Sequence, residues 1–95
     1  IVTAANGHPP LALPINRRHG TPARLYGRVI CHIEHRDGIE QRHGTIVGAP
    51  KFAAMIDIEL DGASWTGRFP PAHNIQYLDD AGQIIWTAPN LTEKT

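Results

Sequence analysis

The sequence is short of the residues that most directly advertise chemistry. It holds a single cysteine, Cys31, so no internal disulfide can form, and a reducing, cytoplasmic setting is the expectation. Cys31 alternates in phase with Leu25, Val29 and Ile33, which reads as a small buried hydrophobe; a nucleophile would need an exposed thiolate beside a base. No apolar run approaches the ~20 residues of a membrane span, and no signal-peptide pattern opens the chain, so no membrane partner is expected. The chain begins at Ile1 without a methionine, which leaves room for a preceding segment. A phosphate-cradling glycine loop, a nucleophile elbow and zinc-motif spacing are also lacking. No catalytic set is assembled and no cofactor is implied, which favours a binding module over an enzyme.

Net charge is zero as well, but its distribution is uneven. Up to Lys51 there are seven Lys or Arg against three Asp or Glu; from Phe52 onward there are two against six. Such asymmetry suits a polyanion-facing half, or association between unlike faces of two copies.

What the chain does have is a period of two. Its 95 residues make one domain, read as an irregular Pro-containing arm (1–20), a β-barrel domain (21–89) and a polar tail (90–95). Pro9, Pro10 and Pro14 deny the arm a central strand position. From Arg24 to Glu34 the odd positions are apolar or small and the even ones mostly polar, which predicts a half-buried strand. Asp37-Gly38 is a preferred hairpin turn; it would place Val29 opposite Ile46, Cys31 opposite Gly44 and His32 opposite His43. Phe52, Ala54, Ile56, Ile58 and Leu60 share one face of a second hairpin. With Asp61-Gly62 as its turn, Ile58 meets Trp65, Ile56 meets Gly67 and Ala54 meets Phe69. Pro70-Pro71 ends that strand, and a last pair, 75–78 with 83–87, closes around Asp79 to Gly82. The expected core is Leu25, Val29, Cys31, Ile33, Ile46, Ile56, Ile58, Leu60, Trp65, Phe69, Ile75 and Ile84.

The stations Gly44-Thr45-Ile46-Val47-Gly48, Ile56 to Gly62 and Phe69 to Ile75 resemble the SH3-like barrel superfamily, which includes Tudor-type and KOW-type modules. The resemblance covers about a third of the chain, residues 44–78, and marks geometry more than chemistry. It implies an all-β fold, a small SH3-like barrel of five or six antiparallel strands. The methylated-peptide cage of Tudor-type modules has no counterpart among the six scattered aromatics. One member class, the small plasmid-borne dihydrofolate reductases, makes an active pore from four SH3-like subunits. Gly44 to Gly48 is similar to their corresponding strand, but at the position of their Val-Gln-Ile-Tyr strand this chain reads Thr66-Gly67-Arg68-Phe69.

Two groups of residues could carry function. Arg24, Tyr26 and Arg28 stand at alternate positions on the outward face of the first strand, and Arg17 and Arg18 in the arm extend the patch. Guanidiniums flanking a ring could hold phosphates while the ring stacks on a base, which gives weak nucleic-acid binding. His32 and His43 would be cross-strand neighbours, the weak beginning of a metal site that needs a third ligand. Exposed edges and the proline-rich arm also suggest a homo-oligomer, so a protein-interaction or oligomerisation domain is the alternative, with a small pore-forming oligomeric enzyme behind it.

Overall fold

The alternation of apolar and polar residues builds one antiparallel sheet in the computed structural model, which describes residues 12–50 and 54–92. A short helix, α1 (Ile15–His19), precedes β1 (Arg28–His35), β2 (Gly38–Gly48), β3 (Ile56–Leu60), β4 (Thr66–Phe69), β5 (Ile75–Leu78) and β6 (Ile84–Thr87); one helical turn, α2 (Pro89–Thr92), follows. The expectations placed on residues 1–11, on Phe52 and on residues 93–95 lie outside the described residues. The fold is all-β, as the periodicity predicts, and the strand order is β4-β3-β2-β1-β5-β6. The expected closure into a barrel is corrected: among the described residues β4 and β6 do not pair, and each is an edge.

Both hairpin registers differ from those expected. In the first, Arg36 and Asp37 form the turn and His35 pairs with Gly38. Gly38 opens the return strand with φ of +144°, which glycine tolerates and other residues rarely adopt. Val29 therefore faces Gly44, Cys31 faces Arg42, and His32 faces Gln41. In the second hairpin the tight turn falls at Asp61-Gly62 as expected, with the Ala63 amide donating to the Leu60 carbonyl at 3.0 Å. Extra residues then intervene before pairing resumes at Glu59 and Thr66, so Ile58 faces Gly67 and Ile56 faces Phe69.

Each slip is by two residues, so every side chain keeps its face. Val29, Cys31, Ile46, Ile56, Ile58, Leu60 and Ile75 are buried as expected, with Ile33 and Phe69 packed partly against them. Trp65 and Ile84 are corrections, since both are exposed, and Leu25 is half-buried. Tyr77, absent from the expected core, is buried; its hydroxyl donates to the Pro71 carbonyl and its ring meets Trp86 edge-on at 5.5 Å between centroids.

The described part of the arm folds back on the sheet. Ala12 bridges Arg24, and the Leu13 amide donates to the Ala23 carbonyl at 3.1 Å. The Asn16 side chain clamps the return: its Nδ2 donates to Ala23 O at 2.7 Å, and its Oδ1 accepts from Ala23 N at 2.9 Å and Thr21 Oγ1 at 2.8 Å. Leu13 and Ile15 of this segment, and Leu91 of α2, pack against the core. No helix among the described residues is long and apolar enough to cross a membrane.

Candidate interaction surfaces

The cationic residues expected to share one strand face are separated by a turn. β1 begins only at Arg28; upstream, the Gly27 amide donates to the Arg24 carbonyl at 3.0 Å, which makes Arg24 to Gly27 a tight turn. Its third residue, Tyr26, has φ of +66°, in the left-handed region where this kind of turn prefers glycine. Hydrogen bonds from Tyr26 N to Ile46 O (2.7 Å) and from Ile46 N to Gly27 O (2.9 Å) hold it there. The ring projects into solvent, 71% exposed.

The two arginines diverge from this turn. The Arg24 stem lies over Gly27, where a Cβ would meet its Cγ at 2.8 Å, and its guanidinium donates to Asp80 Oδ1 at 2.7 Å, toward the β5–β6 turn. Arg28 reaches the opposite way across β2. Its two terminal nitrogens donate to both Asp61 oxygens, at 2.8 and 2.6 Å, and Nη1 also donates to Thr45 Oγ1 at 2.8 Å. That two-pronged contact holds the Asp61 carboxyl below its ordinary range and raises Arg28, because each charged form is stabilised by the other. Both guanidiniums thus already have an anion. Arg17 and Arg18 lie exposed in the last turn of α1 and make no ion pair among the described residues.

The histidines sit on the other expected feature. His32 and His43 share the outer face diagonally, not directly opposite, because His43 faces Ile30. Gln76 Nε2 donates to Thr87 Oγ1 at 3.2 Å, and Gln76 Oε1 accepts from His32 Nε2 at 2.8 Å, a ladder across β1, β5 and β6. No group of three or more His, Cys, Asp or Glu side chains among the described residues could hold a metal ion. Cys31 is buried, and desolvation pushes its thiol up to about 12, which leaves it protonated and unreactive at neutral pH.

What sequence reasoning missed lies at the sheet edges. Trp65, 56% exposed, lays its ring over Gly67, where a Cβ would stand 2.7 Å from Cζ3. On β6, Ile84 is 52% and Ile85 51% exposed. A signal for β6 was present, since Ile84-Ile85-Trp86 breaks the alternation of a strand with one wet face. The register shift between β5 and β6 leaves Ile85 as the unpaired extra residue, a bulge at the edge. The opposite edge is guarded: Arg68 on β4 is held by Asp57 at 3.1 Å, and Pro70-Pro71 follows. Comparison with models of known protein families, with curated proteins and with solved structures finds no match to this chain.

Proposed function

We propose that this domain is a protein-interaction module that works through the β6 edge of its sheet. The observation that carries the reading is the pair Ile84 and Ile85, both about half exposed on an edge strand without charge or proline. Among the described residues no strand pairs with the outer side of that edge, so it offers backbone groups beside apolar side chains, the two components of strand addition. The arginines are less available than an anion-binding role asks, because Arg24 and Arg28 hold Asp80 and Asp61.

The test is a selection of displayed peptides against the wild-type domain and against an Ile84→Lys/Ile85→Lys double variant. Extended, β-forming peptides enriched on the wild type alone support the reading. Peptides that bind both equally overturn it, and so does a domain that binds no peptide and does not associate with itself.

A second reading, weak nucleic-acid binding through Arg17, Arg18, Arg24, Tyr26 and Arg28, is favoured by the exposed Tyr26 ring. A base stacked on that ring and phosphates held by the arginines would give affinity for single strands that falls steeply with salt. Tyr26→Ala should then weaken single-strand binding most. A labelled single-stranded oligonucleotide that fails to bind at low salt removes this reading.

A further inference from the structure

We infer that the partner of β6 is a second copy of the same chain, bound edge to edge and antiparallel about a two-fold axis, an inference that rests on the reading of β6 as the interaction edge. Two observations select this occupant. First, head-to-tail pairing of β6 with β4 of another copy does not close at two copies but runs on into a ring or a filament, and β4 is guarded against it by the Arg68–Asp57 ion pair and by Pro70. Self-pairing of β6 is the arrangement that closes at two. Second, the charges allow it. β6 carries none, and the chain has zero net charge, so two copies feel no long-range repulsion. An antiparallel copy also places the two acidic β5–β6 turns at opposite ends of the joint, whereas a parallel partner would bring them together. Within each turn the acids are already engaged: Asp80 is held by Arg24, and Asp79 Oδ1 accepts from the amides of Ala81 and Gln83 at 2.9 and 2.8 Å.

The joint is small. β6 has four residues, and the bulge at Ile85 twists it, so continuous pairing is short and the dimer weak. So small a joint belongs with weak, transient encounters, and the expectation set for the test is a Kd of roughly 10–100 µM.

Sedimentation equilibrium of the whole chain over a concentration series up to about 1 mM tests this, at concentrations well above such a Kd. The wild type should move from the 10.4 kDa species toward twice that mass. Ile84→Lys/Ile85→Lys should remain monomeric with an unchanged far-ultraviolet spectrum, while Thr66→Lys, on the opposite edge, should still associate. A wild type that stays monomeric throughout overturns the self-pairing. So does association lost in Thr66→Lys but kept in the double variant. If the wild type is monomeric but binds peptides through Ile84 and Ile85, the interaction reading stands without the twin copy; if it does neither, both fall.

Discussion

Tyr77 is the largest of the fully buried side chains, and it does two jobs at once. Its ring fills the core against Trp86 while its hydroxyl satisfies the Pro71 carbonyl at the proline corner. Tyr77→Phe keeps the ring but leaves that buried carbonyl without its donor, which should cost about 1–3 kcal/mol. Trp65→Ala should cost less than about 1 kcal/mol, because more than half of its surface is already in water. Urea unfolding of both variants checks the ranking, and a tryptophan variant that loses several kcal/mol would contradict the exposed placement. Composition alone points to tryptophan as the core anchor. The decision turned on loop length, because the extra residues after Gly62 carry Trp65 past the last rung of the ladder. Tyr26 adds a second residue-scale expectation. A left-handed conformation costs a side chain about 1–2 kcal/mol that glycine avoids. Tyr26→Gly should therefore be more stable than Tyr26→Ala by about 1 kcal/mol, even though neither retains the ring.

At the scale of elements, the period of two fixes faces firmly and registers loosely. A slip of two residues in each hairpin exchanged the partners of Val29 and Ile58 without turning either away from the core. For this reason the buried face of β1, β2 and β3 was legible in the sequence, whereas the His32–His43 pairing and the Arg24-Tyr26-Arg28 face were not. Those depend on where a strand starts and on which residue of Asp37-Gly38 lies inside the turn. Tyr26 illustrates the difficulty, since nothing in its side chain signals a positive φ. The β2–β3 contact offers a direct check of the observed register. A Cβ on Gly44 would lie 2.7 Å from Ile58 Cγ2 and 3.0 Å from the Glu59 carbonyl oxygen, and backbone cannot move aside cheaply. Gly44→Ala should destabilise by about 1–3 kcal/mol through overpacking. An alanine variant as stable as the parent would mean that β2 and β3 are not apposed as described.

For the molecule as a whole, the titrating groups set a window of stability. At the acid end, Arg28 holds the exposed Asp61 carboxyl below its ordinary value, so that contribution is present above about pH 4 and fades as pH falls through the lowered value. The alkaline end is steeper, because both of its groups lie in the core. Burial raises Cys31 from 9.0 to about 12 and pushes Tyr77 well above its ordinary 10.0. Up to about pH 8.5 both are mostly protonated whether the chain is folded or not, and neither contributes appreciably to pH dependence. Above that, the unfolded chain releases the Cys31 proton first and the Tyr77 proton next, while the folded chain keeps both. The unfolded state is favoured by about 1.4 kcal/mol per pH unit for each group past its ordinary value. The urea midpoint should be level from pH 7 to about 8.5 and then fall, with the slope increasing beyond pH 10 as Tyr77 joins. Cys31→Ala lowers the whole curve by leaving a small cavity, but it should also move the onset of the fall up by about one pH unit, a change in shape that a packing defect cannot produce. A midpoint that stays level through about pH 10.5 would show that neither group is held neutral by the fold, and the core placement of Cys31 and Tyr77 would have to be abandoned.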